Sequence, residues 1–133
     1  MKLNYMQIHS AIESLTALAE EKMPFKTTLI MSKNLAALKA EEEFYIEQER
    51  KFAMEYLEIG EDGNFVQSAP GVFQIKEGKQ QECAEARKAL DAFESDVNLR
   101  MIPVDAFDKI NVTINQLAGI DFLLEDDVKT EEE

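Results

Sequence analysis

The single histidine and the single cysteine are the side chains of this sequence best suited to catalysis. Glu13 follows His9 by one helical turn, so its carboxylate could orient the imidazole of a general base. Arg87 follows Cys83 by one turn, and a neighbouring cation favours the reactive thiolate. No motif places a nucleophile or an oxyanion-binding group beside either pair. We therefore expect His9 to be a boundary residue of a helix and Cys83 to be a small buried core residue.

A group of cations indicates a second kind of chemistry, the binding of a small anion. Lys76, Lys79, Arg87 and Lys88 gather around the start of a predicted helix, and Arg50 lies late on the helix before it. If the two helices run side by side, these side chains and the amides of a helix N-terminus could hold a nucleotide phosphate. The alternative is that the cations pair with nearby carboxylates, as exposed Lys and Arg usually do.

The overall charge limits what the protein can bind. The 133 residues contain 14 Lys and Arg against 27 Asp and Glu, a net charge of −13. This charge repels phosphate backbones, so we expect no direct binding of DNA or RNA. One Cys and one His cannot form a zinc site or a disulfide framework, and EF-hand spacing is absent, so neither a metal nor a cofactor is predicted. Because the chain also lacks a glycine-rich phosphate loop and a nucleophile elbow, we expect that it is not an enzyme.

Length and hydrophobicity indicate how the chain is organised. No segment has the apolar run of a secretory signal or of a membrane span, which favours a cytoplasmic location and no membrane partner. A hydrophobic fraction of 45% is enough for one packed core. We therefore expect a single domain over residues 1–124 and an acidic, mobile tail over residues 125–133.

Two helices are predicted in the first half of the chain. Apolar residues at spacings of three and four predict a helix over residues 5–22 with Asn4 as its N-cap, and Pro24 separates it from the next. Residues 26–58 contain neither Gly nor Pro and are rich in good helix formers, which predicts a long second helix. Its heptad-like seam needs a partner helix from the same chain or from a second copy, so helix pairing is predicted, and among partners we expect a second copy of the chain. The seam consists of Leu35, Leu38, Tyr45, Phe52 and Tyr56.

A hairpin and a third helix are predicted after the long helix. An Asp-Gly turn at residues 62–63 ends that helix, and residues 65–67 and 72–75 flank a second turn in the pattern of a β-hairpin. Helical spacing returns over residues 78–95, with an apolar face suited to lie along the long helix.

Small elements are predicted near the end of the chain. Residues 97–102 and 112–114 have the composition of short strands that could pair, with a turn at residues 105–109 between them. Asn115 is a candidate N-cap for a last helix, which Gly119 weakens. The predicted fold is therefore mainly α with a small β component: a long antiparallel helix pair with an inserted hairpin and a small C-terminal strand and helix unit.

Taken in order, these elements resemble a family of small tailed-bacteriophage proteins of unknown function. The likeness lies in a proline-opened long helix, a Tyr before an Asp-Gly turn, and a Val-Asn-Leu, Ile-Pro segment before a leucine-rich acidic end. It is carried by Pro24, Phe25, Lys26, Asn34, Leu35, Phe44, Arg50, Tyr56 and residues 62–64, 97–99, 102–104, 114–117 and 123–126. The resemblance implies a viral source rather than an activity. The order of helix, hairpin and helix is also similar to that of prefoldin-like subunits.

These observations together favour a non-catalytic phage-encoded binding protein that acts on a host component in the bacterial cytoplasm. In one version it counters host defence, either by occluding an effector protein or by sequestering a small anionic nucleotide. The alternative is a phage morphogenesis accessory or a prefoldin-like chaperone that shields a tail or capsid protein. A nucleotide pocket predicts basic and aromatic residues in one cavity, whereas a chaperone predicts an exposed apolar groove.

Overall fold

A computed structural model describes residues 1–108 and 110–125 of the chain. The described chain divides into two compact units. Unit 1 comprises Met1–Glu42 and Glu94–Glu133, and unit 2 comprises Glu43–Phe93.

The fold is mainly α with a small β component, as predicted. The helices are α1 (Tyr5–Ala17), α2 (Phe25–Tyr56), α3 (Gln80–Ala92) and α4 (Ile114–Ala118), with 3-10 turns at Val104–Phe107 and Asp121–Leu123. The strands are β1 (Lys2–Leu3), β2 (Gln67–Ala69), β3 (Val72–Phe73), β4 (Ser95–Asp96), β5 (Ile102–Pro103) and β6 (Leu124–Glu125). They form three two-stranded sheets, β1 with β4, β2 with β3, and β5 with β6. No helix within the described ranges is both long enough and apolar enough to cross a membrane.

The first helix begins where the sequence predicts and ends earlier. The Asn4 side chain accepts a hydrogen bond from the Gln7 amide, and the Gln7 side chain accepts one from the Asn4 amide, each at 2.9 Å. This capping box confirms Asn4 as the N-cap. The helix ends at Ala17, not at residue 22, because residues 19–22 are exposed and have no core to pack against.

Unit 1 holds nearly all of the apolar core. Of the fourteen buried hydrophobic residues within the described ranges, twelve belong to it: Leu3, Ile8, Ala11, Ile12, Leu15, Leu18, Met31, Leu38, Val97, Ile102, Ile120 and Leu123. Helix α4 packs closely on α1 at Gly119, whose amide donates to the Ser14 hydroxyl at 3.2 Å. A Cβ at position 119 would collide with the Ser10 carbonyl and the Ser14 hydroxyl, so this glycine is required by the close approach.

The strand pairing predicted for the C-terminal part is wrong. Residues 97–101 do not join a strand, because the Asn34 side chain bonds to the Arg100 backbone instead. It donates a hydrogen bond to the Arg100 carbonyl at 2.8 Å and accepts one from the Arg100 amide at 2.9 Å. Strand β5 pairs in parallel with β6, and residues 112–114 contain no strand. The last helix has Thr113 as its N-cap, in a capping box with Gln116, and Asn115 lies inside the helix.

Unit 2 contains the remainder of α2, the hairpin and α3. Helix α3 lies antiparallel to α2, since its end contacts Tyr45 and its start contacts Tyr56. The predicted hairpin is present with its strands shifted to 67–69 and 72–73, and Gly71 has a φ of 77° in the turn between them. Only Tyr45 and Cys83 are buried among the apolar residues that the structure describes in this unit.

A ring of backbone hydrogen bonds ties the hairpin to the end of α2. The Glu58 amide donates to the Gln74 carbonyl, the Gln74 amide to the Val66 carbonyl, and the Val66 amide to the Glu58 carbonyl, at 2.8, 2.8 and 3.0 Å. These three bonds fix the hairpin strands beside α2. Of the predicted acidic tail, residues 125–133, only Glu125 lies within the described residues, where it pairs with Pro103.

Candidate functional site

Unit 2 carries an apolar groove of about 530 Å³ between α2 and the hairpin, which we call the aromatic groove. Its apolar lining is Ile46, Phe52, Ala53, Leu57, Phe65 and Phe73, and its charged lining is Glu49, Arg50 and Arg87. Ile46 and Phe73 remain 52% and 43% exposed, although both side chains are large and apolar. An apolar surface that the chain leaves open to water is the usual mark of a binding site.

The two sides of the aromatic groove come from separate elements. Helix α2 contributes Ile46 and Ala53, seven residues apart and therefore on one side of the helix, and Leu57 directly follows the helix. The hairpin contributes Phe65 and Phe73, whose rings meet edge to face at 6.2 Å. The groove therefore depends on the backbone ring that holds the hairpin against the helix.

Arg87 is the most strongly held cation of the groove. Its guanidinium donates to both carboxylate oxygens of Glu49, at 2.8 and 2.5 Å, and to Asp91 at 3.0 Å. It also lies over the Phe52 ring, 4.8 Å from the ring centre. The hydrogen bonds that Arg87 donates to Glu49 raise the pKa of Arg87 above its ordinary value. This side chain is fully engaged within unit 2.

Arg50 is likewise paired inside the chain. It donates to both carboxylate oxygens of Glu47, at 3.0 and 2.6 Å. The hydrogen bond raises the pKa of Arg50 and lowers the pKa of Glu47. Both arginines of the predicted anion site are thus bonded to carboxylates, and a phosphate would have to displace those bonds.

The three predicted lysines lie elsewhere in unit 2. The Lys76 ammonium donates to the Met54 carbonyl at 2.9 Å, near the C-terminal end of α2, where a cation is favoured by the helix dipole. The Lys79 ammonium lies over the Tyr56 ring at 5.8 Å. Lys88 is exposed and has no partner among the described residues. The structure brings Arg50 and Arg87 to one groove, and Lys76, Lys79 and Lys88 do not line it.

The seam predicted for helix pairing faces the interior of the single chain. Leu38 and Tyr45 are fully buried, and the Tyr45 hydroxyl donates to the Phe93 carbonyl at 3.0 Å. Phe52 and Tyr56 are half-buried, and the centres of their rings lie 5.2 Å apart. Leu35 lines a separate cleft of about 230 Å³ between α1 and α2 in unit 1. A second folded copy cannot reach Leu38 or Tyr45.

His9 and Cys83, the two candidate catalytic residues, both occupy positions that stabilise the fold. Both ring nitrogens of His9 face carboxylates, at 3.0 Å from Glu13 and 3.1 Å from Glu42, so the ring links α1 to α2. Cys83 is buried on α3, which confirms the prediction that it is a core residue. Within the described part of the chain no group of three or more His, Cys, Asp or Glu residues could hold a metal ion.

Unit 1 presents a cationic surface that the sequence reasoning missed. Residues 22–40 contain four lysines and no Asp or Glu, whereas the other residues carry 10 cations and 27 acids, a net charge of −17. Lys22, Lys26, Lys33 and Lys39 are all exposed, and none forms an ion pair with a described carboxylate. The absence of acidic residues over this run is the signal that could have revealed it.

Comparisons with known proteins supply no relative from which a function could be carried over. No protein-family model, no curated protein and no solved structure matches the chain.

Proposed function

We propose that the protein is a non-catalytic binding protein that holds an apolar segment of a protein partner in the aromatic groove. The observation that carries this proposal is the combination of half-exposed Ile46 and Phe73 with cations that are already bonded. Apolar side chains left open to water gain free energy when a partner covers them. Beside them, the Arg87 guanidinium joins α3 to α2 through Glu49.

The charge of unit 2 indicates which partner segment suits the groove. Residues 43–93 contain six Lys and Arg against eleven Asp and Glu, a net charge of −5. An apolar segment flanked by basic residues is attracted by this field, which speeds association, whereas an acidic one is repelled. The partner class is therefore an amphipathic, basic segment of a protein.

Between the two forms of counter-defence, this arrangement favours occlusion of a protein over sequestration of a nucleotide. A nucleotide phosphate needs free cations, and the Arg50 and Arg87 guanidinium groups are engaged with Glu47 and Glu49. In the phage setting that the resemblance implies, the partner is a host effector protein in the bacterial cytoplasm. The alternative, a morphogenesis accessory, uses the same groove to shield an apolar face of a tail or capsid protein.

The groove is tested with a probe peptide of defined composition. A fluorescein-labelled amphipathic helix built from Leu and Lys is titrated with the protein, beside a Leu and Glu peptide of the same length. We expect binding of the Leu and Lys peptide only. Ile46→Gln should weaken it about fivefold to tenfold, since covering half an isoleucine is worth about 1 kcal/mol.

Met54→Gln is the matched control for this substitution. Met54 is 49% exposed on the same helix and does not line the groove, so this variant should bind as the wild type does. Equal affinity for the wild type and both variants would mean that the peptide binds elsewhere, and the proposed function would be abandoned.

A further inference from the structure

The start of α2 presents exposed lysines whose charge is not balanced by a neighbouring carboxylate in the described chain. Lys22 lies just before the helix, and Lys26 and Lys33 are seven residues apart, which places them on one side of it. We call these three residues the basic face. None of them forms an ion pair with a carboxylate of the described residues. Lys39, six residues after Lys33, lies on a different side of the helix.

The described chain ends at Glu125, and it heads there towards the start of α2. The Asn34 side chain bonds to the Arg100 backbone, whereas residues 105–108 share a cleft of about 460 Å³ with residues 22–24. Residues 100–108 therefore run back along α2 towards its start. Because β6 pairs in parallel with β5, the chain at Glu125 has the same direction. All of these residues belong to unit 1.

We propose that the basic face binds the acidic segment that follows Glu125, residues 126–133. This segment lies outside the described residues and contains five acidic residues against one lysine, a net charge of −4. Eight extended residues span up to about 26 Å, whereas Lys26 and Lys33 are about 10 Å apart along the helix. The segment thus has the charge and the length to cover the basic face, and another acidic molecule must displace it.

Attachment to the same chain selects this segment over other acidic occupants. The whole chain has a net charge of −13, which repels a separate acidic protein or an anionic lipid surface. A tethered segment keeps an effective concentration in the millimolar range, because it cannot diffuse away. Asp105 and Asp108 line the cleft opposite Lys22, and their charge directs the segment to the α2 side of the cleft.

The inference is tested with a nitroxide label on the segment, which weakens the NMR signals of nearby amides. Thr130→Cys carries the label in a Cys83→Ala background, because Cys83 is the only cysteine of the chain. At about 50 mM salt the signals of residues 22–33 should lose at least about half of their intensity, and about 500 mM salt should restore them.

Lys26→Glu should reduce this loss of intensity at least about threefold, because it opposes like charges. Lys39→Glu is the matched control, since it makes the same charge change at an exposed position of the same helix outside the basic face. It should leave the loss of intensity unchanged.

A reversal of both charges supplies a second check. Lys26→Glu with Lys33→Glu should abolish the loss of intensity. Adding three substitutions to the segment of that variant should restore it, because the two surfaces are again opposite in charge. These substitutions are Glu131→Lys, Glu132→Lys and Glu133→Lys.

Several outcomes would overturn the proposal. Full signal intensity at low salt is one, and an equal reduction by Lys26→Glu and Lys39→Glu is another, since the attraction would then be unspecific. A loss that persists in the doubly reversed face also contradicts it. If nitroxide-labelled chains weaken the signals of isotopically enriched chains that carry no nitroxide, the segment binds a second copy and the proposal is wrong. None of these outcomes alters the peptide test of the aromatic groove.

Discussion

The two units of the chain are stabilised in different ways. Among the residues that the structure describes, unit 1 buries twelve of the fourteen core residues and its lysines on α2 form no ion pairs. Unit 2 buries only Tyr45 and Cys83 of the core set, while Arg50 and Arg87 are held by carboxylates and aromatic rings. Stabilisation by apolar burial is not screened by salt, whereas partly exposed ion pairs are.

Binding surfaces arise for different reasons in the two units. Unit 2 has too little core to cover its own apolar side chains, so Ile46 and Phe73 are left to form a groove. Unit 1 has a core that is complete without the outer side of α2, so its lysines are available to an acidic group. Charged side chains that are bonded within the chain serve its structure. Exposed charged side chains without such bonds indicate candidate interaction surfaces.

The largest expected effect on stability comes from a substitution in unit 1. Gly119→Ala forces a methyl group against the Ser10 carbonyl and the Ser14 hydroxyl, where backbone and helix cannot yield easily. We expect a loss of about 3 kcal/mol in the free energy of unfolding, measured by urea denaturation. Gly60→Ala in unit 2 is the control. A Cβ there would lie 3.2 Å from its nearest neighbour, a carboxylate oxygen of the Asp62 side chain, and so would meet much less resistance. Equal stability of the two variants would show that α4 does not pack on α1 in this way.

A smaller effect is expected from the main ion pair of unit 2. Arg87→Met removes the bonds to Glu49 and Asp91 and the contact with Phe52, but the pair is partly exposed and screened by solvent. We expect a loss of about 1–2 kcal/mol in the free energy of unfolding. Hydrogen exchange should speed up over α3 and remain unchanged over α1, because the pair belongs to unit 2 alone.

Lys88→Met is the matched control for this substitution, since Lys88 adjoins Arg87 and has no partner among the described residues. It should change stability by less than about 0.5 kcal/mol. Faster exchange spread evenly over α1 and α3 after Arg87→Met would contradict the distinction between the units.

The smallest expected effect is a change in the pKa of the Glu47 carboxyl group. The hydrogen bond from Arg50 lowers the pKa of Glu47 from its ordinary value of 4.5, so the pair contributes above that pH and is lost as the pH falls through the lowered pKa. Arg50→Gln should return the Glu47 pKa towards 4.5, as measured by NMR titration of its carboxyl carbon. Lys51→Gln should shift it less, because Lys51 acts on Glu47 through its charge alone and forms no hydrogen bond with it. An unchanged pKa in Arg50→Gln would show that the pair does not form in solution.

Local patterns predicted most of the helical structure. The run without Gly or Pro gave a long helix at Phe25–Tyr56, and Asn4 caps the first helix as its side chain and position indicate. The C-terminal strands were predicted wrongly, because Asn34, distant in sequence, satisfies the Arg100 backbone that a neighbouring strand was expected to bond. Gly119 was interpreted as a weakness of a helix, although it permits contact with α1.

The candidate site was only partly predictable for the same reason. Arg50, Arg87 and Phe52 do meet in one groove, as their place on adjacent helices indicates. Their partners Glu47, Glu49 and Asp91 were three among many carboxylates, and composition cannot say which of them lies within bonding distance. The lysines of residues 22–40 were visible in the sequence, but only exposure and lack of partners distinguished them from paired cations.

Local sequence accounts for the long helix, the Asn4 cap of α1, the turn after the long helix and the strongly negative charge, since each depends on neighbouring residues or on a sum over residue types. Tertiary structure decided which cations are bonded, which apolar side chains stay open and which side of α2 is free. Those outcomes depend on distances between residues far apart in the chain, and several pairings have similar local preferences. Only the packed arrangement distinguishes between them.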